Sequence, residues 1–221
     1  MSSLKFKQIE STVEKSGFHF GRFNLSSIKP GLGVTIGNTL RRVLLADLKG
    51  TAITAVRIAG INHEFSFLPG VREDILEILL NLKQIIFKST IQEPIFASFK
   101  VQGPKVVTAS LIDLDPQITL INENQYIATI LDDSILEVEF KIERGVGYRL
   151  NNSNQITNEL NFLDVDAIFM PVRRVNYNVD SVPLPSGELE ESLTIDIWTN
   201  NSISPEDALQ ESSKFIVNIF R

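Results

Sequence analysis

Apolar and polar positions alternate from Phe6 to Val13 and again from Phe18 to Leu25, which predicts two strands joined at Gly17. After the break at Lys29-Pro30-Gly31 the spacing becomes helical, from Gly33 to about Asp47. Lys49-Gly50 ends that helix, and Thr51 to Ile61, rich in Ile, Val and Thr, predicts a strand. A turn at Phe67-Leu68-Pro69-Gly70 precedes a second helix, about Val71 to Phe87. From Pro94 to Tyr148 short strands alternate with turn signals at Gly103-Pro104, Asp115-Pro116, Asn122 to Asn124 and Asp132-Asp133. Asn151 to Asn161 reads as a polar loop. Val172 to Val179 is a further strand, Pro183 to Gly187 a loop, and Leu193 to Thr199 alternates cleanly. The last helix opens at Ser204, a good N-cap. Pro205 suits its first position, and Glu206 and Asp207 suit the positive end of its dipole. The pattern is that of an α+β protein.

Each residue turns a helix by about 100°, so the three helices can be read face by face. In the first, Ile36, Leu40, Val43 and Leu44 share one sector. Val34 and Leu45 fall on the opposite side, flanked by Arg41 and Arg42. In the second, Val71, Ile75, Ile78, Leu82 and Ile85 form one face and Leu76, Leu80 and Phe87 another, as expected of a helix between two layers. The last helix gathers Ala208, Phe215, Ile216 and Ile219, extended by Leu209 and Phe220. Burying five or six such side chains contributes on the order of 10 kcal/mol before entropy costs. Two readings fit these faces: packing on the chain's own sheet, and a partner surface, foremost a symmetric dimer.

Composition narrows the chemistry. The chain has 221 residues, enough for one large domain or two small ones, with 43% hydrophobic and 22% charged residues. A mean hydropathy of +0.06 excludes global disorder. No apolar run approaches the roughly 20 residues that span a bilayer, and the start lacks a secretory h-region. With no Cys and two His, disulfides, zinc fingers and thiol nucleophiles are excluded. A net charge of -6 argues against non-specific binding to nucleic-acid backbones.

Gly31-Leu-Gly33-Val-Thr-Ile-Gly37 has the look of a dinucleotide fingerprint, but its spacing is one residue too long. The acidic residue expected about 20 positions on would fall in Thr51 to Ala59, which has none. The plainer reading gives Gly31 and Gly33 to a tight turn and Gly37 to close packing. The pairs Asp113/Asp115, Asp132/Asp133 and Asp164/Asp166 could hold Mg²⁺ but sit where Asp forms turns. His63 has no second His near it and reads as a hydrogen-bonded structural residue. Ser66, Ser134 and Ser186 lack an elbow context. Arg173-Arg174 with Lys141, Arg144 and Arg149 reads as a solvated strand face. No catalytic set emerges. Arg41 and Arg42 point about 100° apart, so at least one flanks the Val34/Leu45 face, a typical interface anchor.

The stretch Gly33-Val-Thr-Ile-Gly-Asn-Thr-Leu-Arg-Arg-Val-Leu-Leu-Ala-Asp47 resembles the signature helix of the α subunit of bacterial-type DNA-directed RNA polymerase. The same family is resembled by Gly70-Val-Arg-Glu-Asp-Ile-Leu-Glu-Ile-Leu-Leu-Asn-Leu-Lys83, the Asn62-His-Glu-Phe65 turn and Glu143-Arg-Gly-Val-Gly-Tyr148. Ile168-Phe-Met-Pro-Val-Arg-Arg-Val-Asn-Tyr177 and Ile197-Trp-Thr-Asn-Asn-Ser-Ile-Ser-Pro-Glu-Asp-Ala208 complete a co-linear match. The Ile-Phe-Met-Pro and Ile-Trp-Thr-Asn forms look most like its cyanobacterial and plastid branch.

The resemblance implies a dimerisation domain of antiparallel sheet plus two helices, from residues 1–50 and 171–221. A mostly-β second domain with one helix, residues 51–170, is inserted and faces the large subunits. It implies a non-catalytic α subunit that homodimerises and is the assembly platform for the β and β′ subunits in transcription. A nucleotide-binding enzyme using Gly31 to Gly37 is the alternative. The implied dimer interface is Ile36, Leu40, Val43, Leu44, Phe215, Ile216 and Ile219. The implied β-subunit interface is Asn38, Arg41, Arg42, Leu45, His63, Glu64, Arg72 and Asp74, and the β′ interface is Arg173, Arg174 and Asn176. No cofactor is expected in this chain, since the holoenzyme's Mg²⁺ belongs to another subunit. Family members usually continue into a helical, DNA-binding C-terminal domain; this sequence stops at Arg221, so no direct DNA contact is expected, and no membrane. The expected location is the plastid stroma, with bacterial cytoplasm as the alternative.

Overall fold

The computed structural model describes residues 6–14, 17–61, 63–150, 162–185 and 189–219. The predicted loop at Asn151 to Asn161, and the expectations placed on Asn62, Ser186, Gly187 and Phe220, lie outside these residues. The chain opens with β1 (Lys7–Val13), β2 (His19–Ile28), α1 (Leu32–Ala46) and β3 (Lys49–Ile58). Next come α2 (Ile75–Leu82), β4 (Phe87–Ser89), β5 (Ile95–Gln102), β6 (Lys105–Thr108), β7 (Ile118–Leu120) and β8 (Tyr126–Ile130). Then follow β9 (Ile135–Val146), β10 (Tyr148–Arg149), β11 (Leu163–Asp164) and β12 (Ala167–Ile168). The chain closes with β13 (Val172–Pro183), β14 (Leu189–Thr199) and α3 (Pro205–Ile219). It divides into two compact units, one formed by Met1–Leu48 with Met170–Arg221, the other by Lys49–Phe169.

The first unit is an antiparallel sheet in the order β1-β2-β14-β13 with α1 and α3 against it. The alternation in β14 decides which face the helices cover. Leu193, Ile195 and Ile197 point to them and are fully buried, while Thr194, Asp196 and Trp198 point away. Phe23, Val175, Leu40, Leu44, Ala208 and Leu209 close the core. Glycine lets α1 lie close to the sheet. A Cβ at Gly33 would sit 2.7 Å from Val179, and one at Gly37 2.6 Å from Tyr177. α3 starts where its cap predicts: the Asp207 N–H donates to Ser204 Oγ at 3.1 Å, and Ser204 Oγ donates back to Asp207.

The second unit is built on an antiparallel sheet in the order β11-β3-β9-β5. Leu136, Val138, Phe140 and Ile142 of β9 are all completely buried and join Ile75, Ile78 and Leu82 of α2 in one cluster. Each such side chain contributes about 2 kcal/mol by leaving water. The two-stranded pairs β4–β7, β6–β8 and β10–β12 complete this unit.

The second helix departs from expectation at both ends and on one face. It begins at Ile75, because Val71 bridges to Ile130 and the Asp74 carboxylate accepts the Glu77 N–H at 2.8 Å, capping the helix there. It stops at Leu82, where Asn122 donates to the Gln84 carbonyl and accepts from the Ile86 N–H, drawing the chain out toward β4. Nor is it sandwiched between layers. Leu76 is 40% and Leu80 50% exposed.

Candidate functional site

Two stripes on α1 stay accessible, and its turn angle separates them. Val34, Asn38, Arg41 and Leu45 fall within one narrow sector with Arg42 beside it. Val34, Asn38, Arg41 and Arg42 are exposed, and Leu45 is half-buried against its own core. The second stripe runs through Leu32, Ile36 and Val43. Leu32 is exposed, Ile36 half-buried, and Val43 only 6% exposed at the margin of the core.

This divides the expected dimer set. Leu40, Val43 and Leu44 are 4%, 6% and 0% exposed, Leu40 and Leu44 being held by the chain's own Phe23, Ile195 and Ile197, so these three leave almost no surface for a second copy. Leu32, which the periodicity left out, is instead exposed. On α3, Ala208 and Leu209 are buried. Ile216 is half-buried, and Phe215, Val217 and Ile219 are exposed, so the far end of that helix carries uncovered apolar surface.

The three residues expected to face the β′ subunit lie on the edge strand β13. Arg173 is exposed at the irregularity in its pairing with β14. The Arg174 guanidinium stacks 4.8 Å over the Trp198 ring, which in turn packs 4.9 Å from Phe20. Trp198 Nε1 donates to Glu14 at 3.1 Å. Asn176 is exposed one pleat further along. The helix-free face of this sheet is thus an aromatic pair under a cation, and Trp198 was not anticipated as part of it.

In the second unit one expected residue, Arg72, meets a carboxylate the sequence reading passed over. Glu73 is 2% exposed. It accepts hydrogen bonds from the Arg72 guanidinium (2.9 Å), from the Tyr126 hydroxyl and from the Thr129 N–H (2.7 Å). Arg72 also donates to the Tyr126 hydroxyl at 2.9 Å and stays largely solvent-facing. Burial favours the neutral acid, but these donors outweigh it and hold the Glu73 carboxyl below its ordinary range. Burial and the neighbouring Glu73 carboxylate push the Tyr126 hydroxyl up. Asp74 is the exposed helix cap. His63 is exposed in a turn with Nδ1 3.0 Å from Ser66 Oγ, hydrogen-bonded as expected, and Glu64 is half-buried. Phe65 and Phe67 stand 79% and 66% exposed in the same loop. Their aromatic character beside His63 was the available signal.

The Gly31 to Gly37 segment does not form an open nucleotide cradle. Gly31 has φ +86°, the left-handed turn that favours glycine, and opens α1. Its N–H and that of Gly33 donate to the two oxygens of the Glu191 carboxylate, at 2.7 and 2.8 Å. The position a phosphate would take is filled by the chain itself.

The family model described as the RNA polymerase Rpb3/RpoA insert domain matches residues 56–170. A protein of Phaeodactylum tricornutum named DNA-directed RNA polymerase subunit alpha is 53% identical over 220 residues, spanning 100% of this chain and 71% of its own. Proteins of the same name from Cyanophora paradoxa and Porphyra purpurea are each 47% identical, over 100% of this chain and 70% and 71% of theirs. The chain belongs to the α-subunit family of DNA-directed RNA polymerase. Within the α chain, the insert match falls on the unit Lys49–Phe169, which carries Arg72, Glu73 and Asp74. The α1 and β13 surfaces belong to the other unit. Nothing in these similarities supports a nucleotide-binding enzyme, and the filled cradle removes its geometric basis. Among the described residues no helix is long and apolar enough to cross a membrane.

Proposed function

We propose that this α chain is a non-catalytic scaffold of a plastid RNA polymerase, pairing with a second copy and receiving the β and β′ subunits. The observation that carries this reading is similarity along the whole chain to proteins named DNA-directed RNA polymerase subunit alpha. The two accessible stripes of α1 give it a physical form. The Leu32/Ile36 stripe, with Phe215 and Ile219 of α3, is the face for the second copy. The Val34/Asn38/Arg41/Leu45 stripe with Arg42 is a face for β, and in the other unit His63, Glu64, Arg72 and Asp74 also meet β. Arg173, Arg174 and Asn176 meet β′. Phosphodiester chemistry and its Mg²⁺ belong to another subunit, and this region leaves DNA to its partners. The relatives' algal sources support the plastid stroma as its location.

The test is co-expression with the β and β′ subunits of one of these algal relatives, followed by capture on a tagged α chain. Both large subunits are expected in the captured complex; their absence would overturn the scaffold reading. Arg42→Ala is expected to leave the copy pairing intact and to weaken β capture about tenfold, the loss typical of an interface arginine. Unchanged capture removes Arg42 from that surface. Ile219→Asp places a charge on a residue 60% exposed, so the chain stays folded and becomes monomeric in sedimentation. A wild-type sedimentation profile for that variant would place the second copy elsewhere.

A further inference from the structure

We infer that Glu191 is a positioning residue for self-association. Its carboxylate is the built-in anion of the α1 N-terminus and holds Leu32 where a second copy meets it. The inference rests on the copy-pairing reading above.

The start of α1 is short of ordinary caps. Gly31 occupies the cap position and has no side chain to accept a hydrogen bond, and no acidic residue lies in the first turn. The first N–H groups of a helix carry partial positive charge and need an acceptor. Glu191 supplies it from 160 residues away, through Oε1 to the Gly31 N–H and Oε2 to the Gly33 N–H. Glu191 sits at an irregularity of β14, where its pairing with β2 shifts register, and there its carboxylate reaches the helix start. Gly33 is needed for that approach, since a Cβ there would lie 2.8 Å from Glu191 Oε2.

Leu32 lies between the two capped amides. Its own N–H donates to the Lys29 carbonyl at 3.2 Å, so three successive amides are held and the Leu32 backbone is pinned on both sides. Its side chain nonetheless remains 47% exposed. An apolar side chain presented in water on a fixed backbone is pre-organised for a partner, because the cost of ordering that backbone is met by folding rather than by association. The two ionic hydrogen bonds are of the stronger kind, so their loss is expected to loosen this turn while the glycine-packed remainder of α1 stays on the sheet.

The experiment measures the monomer–dimer equilibrium of the full chain by sedimentation, alongside hydrogen exchange of the Gly31 and Gly33 amides. Glu191→Ala is expected to weaken self-association about tenfold, the equivalent of about 1.4 kcal/mol, and to speed exchange at both amides. Added formate is expected to restore both, because a small carboxylate can enter the vacated place; chloride at equal ionic strength is not. Glu191→Gln, which keeps the volume, covers the case in which the alanine variant misfolds. Its amide cannot accept from both N–H groups, so it too is expected to associate more weakly. Wild-type self-association in Glu191→Gln, or in a folded Glu191→Ala, overturns the role of Glu191. Failure of formate to restore association reduces Glu191 to a packing residue and overturns the positioning role. A wild-type chain that stays monomeric at every concentration overturns the copy pairing itself, and the amide exchange then still reports whether Glu191 caps the helix.

Discussion

Gly50→Ala is expected to destabilise the inserted unit by about 3 kcal/mol or more, although it adds a single methyl group. Gly50 of β3 stands directly opposite Gly145 of β9, and Phe169 lies against the pair. A Cβ at Gly50 would come within 1.7 Å of the Phe169 carbonyl oxygen, so the backbone leading into Phe169 would have to move. That residue is itself anchored. Its N–H donates to the Gly147 carbonyl at 2.9 Å, its ring is 3% exposed against Ala52 and Ala167, and Arg149 lies 5.4 Å over it. Gly145→Ala is expected to cost less, since its nearest neighbours at 2.8 Å are atoms of the Phe169 ring, which can shift. Urea unfolding of both variants gives the comparison. Equal stability of Gly50→Ala and the parent would mean that the Phe169 segment yields freely.

The Glu73 variants are expected to show the next largest effect, and one that depends on pH. Glu73→Ala leaves the Thr129 N–H and the Tyr126 hydroxyl without their acceptor, a loss of about 2–4 kcal/mol near neutrality. The carboxyl is held below its ordinary value near 4.5 in the folded chain. Such a group contributes stability that is fully present above its unfolded pKa and disappears as pH falls through its folded one. Wild type should therefore lose its advantage over Glu73→Gln as the solution is acidified below about pH 4.5. Glu143 and Asp132 are also held low, Glu143 by Arg149 and Lys141 against its burial and Asp132 by Ser134, so acid weakens both proteins. The informative quantity is the difference between the two melting curves. A difference constant from neutral pH to pH 3 would show that the Glu73 charge is not what stabilises this network.

Much of the architecture was legible in the order of residues. The β1–β2 hairpin turning at Gly17, the helix opened by Gly31 and the one capped by Ser204 rest on local chemistry: a left-handed turn, a break at Pro30 and a hydroxyl cap. The face of Val34 and Leu45 flanked by Arg41 and Arg42 was legible for the same reason, since helical angle depends on spacing alone. The length of α2 was not. Its apolar run continues past both ends, and the helix stops where Asn122 and Ile130, distant in sequence, offer the backbone other partners.

By itself, the sequence determined the family and which positions are apolar, because periodicity and co-linear motifs are properties of one chain read in order. Only the tertiary structure decided what covers each apolar position. Leu40 and Leu44 share a pattern with Ile36, yet they lie under the chain's own sheet while Leu32 and Ile219 stay open. It also turned a glycine-rich loop from a candidate phosphate cradle into a helix start closed by Glu191. Burial and hydrogen-bond satisfaction are set by residues far apart along the chain, and no local spacing encodes which distant carboxylate will arrive.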